Sequence, residues 1–264
     1  YVVNGSWGAK AVNDASAVGQ TAIIGGEKPY VKTVGFDDMV FADDAAYVHI
    51  TSNETIEGIQ YNRFPDTGET PLIADMSSDI LCRPLDLSPF SFVYAGAQKN
   101  LGPSGVTIVV IRESMLDRVS AELPAMLRYD THVKANSLYN TPPVFSVYMV
   151  KLVLEWLRDN GGLEAMERRN REKAGLIYEQ IDESDGFYRG TADKASRSLM
   201  NVTFRLQDES LEKEFLEQAA ANGFVGLKGH RSVGGIRASI YNAVPLESCR
   251  ALAQFMAEFC KKHG

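Results

Sequence analysis

Four short runs in the first 112 residues are apolar nearly throughout: AAYVHI (45–50), TPLIADM (70–76), SFVYAGA (91–97) and VTIVVI (106–111). A strand with one wet face alternates apolar and polar residues, whereas a strand covered on both faces does not. Helix-like patches such as SWGAKAVNDASAVG (6–19), which stops near Gly19, separate the runs. The combination restricts this half of the chain to an α/β arrangement, a mainly parallel sheet with helices on both sides.

The pattern changes further along. NTPPVFSVYMVKLVLEWLRDNGG (140–162) reads as a long helix, with Thr141 as N-cap, Pro142 in the first turn and Gly161 as the stop. GLEAMERRNREKAGLIYEQID (162–182) reads as a second helix with a solvated face. Strands at 199–206 and 235–243 then alternate with helices at 209–223 and 246–263. The expected organisation is a large domain over 1–163 and a smaller α+β C-terminal domain over 164–264.

Composition narrows the partners. The chain has 264 residues and a net charge of -7, with no block of basic residues. Neither nucleic acid nor an anionic membrane surface is an expected partner. No run reaches the roughly 18 apolar residues of a bilayer span, and YVVNGSWGAK is not a secretory leader. Cys82, Cys249 and Cys260 are odd in number, far apart and without a C-x-x-C pair. They read as reduced thiols of a cytoplasmic protein, not as a disulfide framework or a zinc site. His49 lies in an apolar run and reads as a core histidine, while His132 and His263 lack metal-ligand spacing. No G-x-G-x-x-G or Walker-type loop is present.

Three features carry chemistry. Asp75 ends an apolar strand run, at the carboxyl edge where open α/β sheets place their ligands; aspartate also favours caps and turns. Lys99 interrupts two strand-like runs in SFVYAGAQKNLGPSGVTIVVI (91–111). Desolvated in a site, a lysine loses its proton more readily and attacks carbonyl carbon; in a surface turn it extends into solvent. His230, Arg231 and Arg237 fall in LKGHRSVGGIRASIYNA (227–243). Arginine forks suit carboxylate and phosphate groups, so this loop reads as an anion clamp or a solvated basic turn. An acid able to meet a pyridine nitrogen, a strand-end lysine and an anion clamp together describe a pyridoxal phosphate enzyme.

ADMSSDILCRPLDLSPFSFVYAGAQKNLGPSGVTIVVIRE, YNTPPVFSVYMVKLVLEWL and GLKGHRSVGGIRASIYNAVPLE, in that order, resemble the phosphoserine aminotransferases, class V enzymes of pyridoxal phosphate fold type I. The resemblance implies a three-layer α/β/α large domain and pyridoxal 5'-phosphate as cofactor. It implies that Lys99 holds the cofactor, that Gln98 contacts its phosphate and that Asp75 pairs with the pyridine nitrogen. Thr55 would lie near the ring hydroxyl and Trp7 would stack on the ring. Asn140 and Thr141 would reach the cofactor of the neighbouring subunit, in a homodimer with shared active sites. His230, Arg231 and Arg237 would recognise substrate phosphate and carboxylate groups. The implied reaction is ping-pong amino transfer from L-glutamate to 3-phosphohydroxypyruvate, with a phosphorylated 4-hydroxythreonine as a second candidate substrate. In the family, about a quarter of the chain precedes the stacking tryptophan, including a cofactor-phosphate loop and a substrate-carboxylate arginine. Here Trp7 is the seventh residue, so the chain reads as lacking that quarter, cleaved or supplied as a separate N-terminal fragment. The competing expectation is a catalytically silent piece that only dimerises or binds anions. Another class V aminotransferase, or a cysteine desulfurase using one of the three thiols, is a further alternative.

Overall fold

The computed structural model describes residues 1–264. In chain order the elements of the first part are β1 (Val2–Val3), α1 (Ser6–Ala15), β2 (Ile24–Gly25), β3 (Val48–Thr51), β4 (Asn53–Glu54), β5 (Ile59–Gln60), β6 (Leu72–Asp75), β7 (Phe90–Gly96), β8 (Thr107–Ile111), α2 (Tyr129–Lys134) and α3 (Val144–Asp159). They are followed by α4 (Gly162–Asp182), β9 (Tyr188–Gly190), β10 (Asn201–Leu206), α5 (Leu211–Ala221), β11 (Ile236–Ser239) and α6 (Leu246–His263).

The main sheet has six strands in the order β2-β1-β3-β6-β7-β8. All pairings are parallel except β7 with β8. Val2, Val48, Ile50, Leu72, Ala74 and Val93 form its core, each almost fully buried. Four of the apolar runs are therefore strands, as their composition requires, and β3 is buried along its whole length. The run at 106–111 behaves differently: β8 pairs antiparallel at the sheet edge and leaves Val109 and Val110 partly exposed. Strands β1 and β2 have two residues each, too short to show a periodicity.

The helix at 140–162 also begins later than expected. Thr141 is not its cap: α3 starts at Val144, with Pro143 in the cap position and no side-chain cap bond. The residue before a proline is pushed out of the helical region. Two prolines in a row carry that restriction through Thr141 and Pro142, so helix can begin no earlier than Pro143, which here takes the cap position. Gly161 ends the segment as expected, with φ +91 separating α3 from α4.

A second, antiparallel sheet runs β11-β10-β9. Ile177 and Ile181 of α4, Phe215 of α5 and Met256 and Phe259 of α6 pack with Val202, Phe204 and Leu206 of β10 into its core. The two sheets meet along a polar seam. Asn53 of β4 donates to Asn201 Oδ1 at 2.9 Å and accepts from Ser198 Oγ at 2.5 Å. Thr203 Oγ1 donates to the Glu57 carbonyl at 2.8 Å. Gly58 fits here because φ is +72 and an added Cβ would lie 2.4 Å from Thr203 Oγ1. Beside Lys99, Asn100 accepts the Asn242 N–H at 3.0 Å and donates to Ile80 O at 2.9 Å. Asn170 of α4 donates to Asn242 Oδ1 at 2.8 Å.

Lys173 of α4 anchors the same region. It is 0% exposed. Its Nζ donates to the carbonyls of Ile240, Tyr241 and Val244 at 2.9, 2.8 and 3.2 Å. Burial pushes its pKa down to about 8. Three donors meet three carbonyls of the turn between β11 and α6, which is how a buried cation is tolerated without a carboxylate. Lys173→Ala strands those carbonyls and opens a cavity, so unfolding in urea should show a loss of roughly 3–5 kcal/mol. A loss below about 1 kcal/mol would mean that the three bonds do not hold the turn.

Candidate active site

Parallel pairing sends β1, β3, β6 and β7 out of the sheet at one edge, the ligand edge of an open α/β sheet. Trp7 follows β1, Thr55 follows β3, Asp75 is the last residue of β6, and Gln98 and Lys99 follow β7. The register confirms the alignment: Thr51 lies opposite Asp75, and Asp75 opposite Tyr94.

Lys99 Nζ donates to Thr55 Oγ1 at 3.0 Å. Burial pushes the Lys99 ammonium below the usual lysine range; Asp75 opposes that shift and Arg237 reinforces it. These three charges are thus within electrostatic reach of one another, although Arg237 lies in the second sheet. Asp75 Oδ1 accepts the Ser77 N–H at 2.8 Å, which orients the carboxylate past the strand end. The turn after it is braced by Ser77 Oγ, which accepts the Gly96 N–H at 3.0 Å.

Arg237 Nε is buried without a hydrogen-bond partner. Arg237 also lines a cavity of about 680 Å3 between residues 28–31 and the 229–237 loop, with Glu57, Arg205 and Ser232. Lys99, Asp75 and Thr55 are not among its lining; the cavity lies beside the lysine group and shares Arg237 with it. His230 Nδ1 is 2.7 Å from Ser232 Oγ, and its charge acts on Glu57. Arg231 is exposed. Gln98 is exposed next to Lys99. Asn140 and Thr141 are exposed as well, and the recorded Asn140 side-chain bond is to the neighbouring Thr141 carbonyl at 3.2 Å. The chain therefore gathers Lys99, Thr55, Asp75 and Arg237. It does not bring Asn140, Thr141 or Arg231 into that group.

Other residues of the neighbourhood carried weaker sequence signals. Tyr94 interacts with Asp75, and its hydroxyl is 3.0 Å from His49 Nε2. Burial pushes His49 down to about 4, which keeps the ring neutral; its Nδ1 has no partner, so the reading of His49 as a core residue holds with one nitrogen left over. Tyr241 accepts from Asn201 Nδ2 at 3.1 Å and interacts with Thr55. Glu54 and Glu57 flank Thr55 in SNETIEG and are both buried. Neither acid carries a local signal in the sequence, because the N–H groups that they receive belong to residues 6–8. Cys82 is buried and burial pushes its thiol up to about 12, unlike a nucleophile in a mobile loop.

The residues present fit pyridoxal phosphate. A half-buried lysine of lowered proton affinity, a carboxylate at a strand end and an unpartnered guanidinium face a common region.

Burial pushes Glu54 from an ordinary 4.5 up to about 8, with Glu57 and Asp75 adding to the rise and the N–H groups of Gly8 and Trp7 opposing it. Between those values the folded chain keeps a proton that the unfolded chain has released, so stability falls as pH rises through the window. Glu54→Gln cannot titrate. Urea unfolding at pH 5.5 and 8.5 should show the unsubstituted chain losing more stability than the variant, by on the order of 3 kcal/mol. Parallel losses in the two proteins would refute the assignment.

The family described as aminotransferase class-V matches residues 33–252. The phosphoserine aminotransferase of Niallia circulans is 58% identical over 266 residues, covering 100% of this chain and 74% of that protein. The solved phosphoserine aminotransferase of Bacillus circulans subsp. alkalophilus superposes with a TM-score of 0.97 at 58% identity, covering 100% of this chain and 74% of that one. A pyridoxal phosphate-bound phosphoserine aminotransferase from Trichomonas vaginalis superposes with a TM-score of 0.90 at 37% identity, covering 97% of this chain and 74% of that one. This chain thus spans about three quarters of the length of these relatives.

Proposed function

The chain belongs to the class V aminotransferases, among the phosphoserine aminotransferases, and on that premise we propose how its residues carry out amino transfer from L-glutamate to 3-phosphohydroxypyruvate. The products are 2-oxoglutarate and O-phospho-L-serine. Bound pyridoxal phosphate supplies an electron-withdrawing ring that stabilises negative charge at the substrate α carbon. Lys99 is the residue that holds it, and the observation that carries this reading is the Lys99 Nζ, half-buried and 3.0 Å from Thr55 Oγ1 at the carboxyl edge of the sheet.

Lys99 moves the proton at the substrate α carbon. Its lowered proton affinity suits a base that must alternate between neutral and charged forms near neutral pH. Asp75, fixed by the Ser77 N–H, holds a proton at the pyridine nitrogen. Thr55 orients Lys99 Nζ and serves the ring hydroxyl, Trp7 lies against the ring face, and Gln98 meets the cofactor phosphate. Arg237 takes the substrate α-carboxylate, which its unpartnered Nε supports. His230 and Arg231 take the distal anionic end of either substrate.

Asn140 and Thr141 serve the cofactor of a second subunit. Their exposure supports this, as does the apolar surface beside them: Leu138, Tyr139, Val144 and Tyr148 are exposed, and Phe145 is 73% exposed. None of the helices is long and apolar enough to cross a membrane.

Incubation with L-glutamate and 3-phosphohydroxypyruvate should release 2-oxoglutarate, and the chain with added cofactor should show a visible absorbance band. Lys99→Ala should abolish the band and lower the rate by at least 10²–10⁴-fold, the usual contribution of a positioned proton-transfer group. A colourless chain that takes up no cofactor would overturn the reading in favour of a silent one. Arg231→Ala should raise KM for 3-phosphohydroxypyruvate through its phosphate. An equal weakening of both substrates' α-carboxylate contacts, with the phosphate contact intact, would reverse the division between Arg231 and Arg237.

A further inference from the structure

Helix α1 begins with Trp7 in its first turn, but its own N-cap is Gly5, which has no side chain to accept the free N–H groups of that turn. They are served from another element. Glu54 Oε2 accepts the Trp7 N–H at 2.9 Å and Glu54 Oε1 accepts the Gly8 N–H at 2.7 Å. Glu57 Oε1 accepts the Ser6 N–H at 3.0 Å and the Ser6 hydroxyl at 2.5 Å. Glu54 is 0% exposed, and space is reserved for it: a Cβ on Gly5 would lie 2.2 Å from Glu54 Cδ.

The Trp7 side chain has little of its own to fix it. It is 41% exposed, with Lys10 Nζ 5.6 Å from the ring centre. Its direction is set by the backbone turn from which it projects, and that turn is held by Glu54. Glu54 is also the residue before Thr55, whose hydroxyl receives Lys99. One short stretch of chain thus meets both the lysine and the helix that carries the indole.

We propose that Glu54 is a positioning residue for the cofactor site, its two carboxyl oxygens holding the first turn of α1 and thereby directing the Trp7 indole at the ring of the bound cofactor. This rests on the reading of Trp7 as the residue that lies against that ring. Two N–H groups need two acceptor oxygens, which a carboxyl group offers with or without its proton, and the positive end of α1 strengthens the contact once the group is ionised. Glutamine offers a single acceptor oxygen and turns an NH2 toward the other N–H. Alanine offers none.

A double-mutant cycle tests this, read first by cofactor affinity in an equilibrium titration with pyridoxal phosphate. Trp7→Ala should weaken binding roughly three- to tenfold, the worth of an aromatic contact. Glu54→Ala should weaken it by a similar factor, Glu54→Gln by less, and Trp7→Ala/Glu54→Ala by no more than Trp7→Ala alone, because Glu54 acts through Trp7. The second readout needs no cofactor. In a Trp156→Phe background, where Trp7 is the remaining tryptophan, acrylamide quenching of Trp7 should rise in Glu54→Ala and return part of the way in Glu54→Gln. Glu54→Gln, which keeps one acceptor, carries both readouts if Glu54→Ala does not fold. Unchanged quenching, or affinity losses that add in the double variant, would overturn the proposal. Quenching that rises in the Glu54 variants while Trp7→Ala leaves affinity unchanged would uphold the helix contact but overturn the role of Trp7 and, with it, the positioning role of Glu54.

Discussion

Parallel pairing of β1, β3, β6 and β7 is the constraint on which the rest of the structure depends. It forces four separate chain segments to leave the sheet at one edge, and each places a candidate site residue within its first few positions. Antiparallel pairing would have split Asp75 and Lys99 between opposite ends of the sheet. The same pairing demands strands covered on both sides, which is why residues as different in role as Ile50 and Asp75 sit one strand apart, one filling the core and the other opening onto the site.

The second sheet is held to the first through polar contacts, and this is where much of the specificity of the arrangement lies. Asn53, Asn100, Asn170, Asn201 and Asn242 are all buried, and each makes bonds across the seam or into the turns that flank it. Apolar surfaces of similar shape could slide against each other at small cost, whereas a buried amide displaced from its partner loses the whole compensation for its desolvation. Arg237 therefore arrives beside Lys99 at a defined place, carried by β11 in register with Thr203 and Asn201 of β10.

Much of this was legible in the sequence. The apolar runs that end at Asp75 and lead into Lys99 announced buried strands, while the run after Lys99 became the exposed edge strand β8; the strand-end acid and the glycine-flanked lysine marked a candidate site, because both features rest on local pattern. Thr141 misled because its capping chemistry is strong, but Pro142 and Pro143 outweigh it through backbone geometry. Glu54 and Glu57 were hidden for a different reason. Their partners, the N–H groups of Ser6, Trp7 and Gly8, lie some fifty residues away. An acid that serves a distant helix looks in sequence like any surface acid. Lys173 escaped in the same way: its helix reads as amphipathic and solvated, yet its ammonium is enclosed by carbonyls of a turn from another part of the chain.

The electrostatics of Lys99 link these pieces. Burial and Arg237 both disfavour its charged form, and Asp75 favours it. On the reading proposed above, a substrate carboxylate seated on Arg237 cancels the repulsion that the guanidinium exerts on Lys99. Its arrival therefore raises the proton affinity of the lysine at the moment when a proton must be taken from the α carbon. The arginine that selects the anionic substrate also keeps the lysine readily deprotonated until the substrate is there. Both effects need Arg237 close to Lys99 without an internal carboxylate partner for its Nε, and that is the arrangement the polar seam maintains.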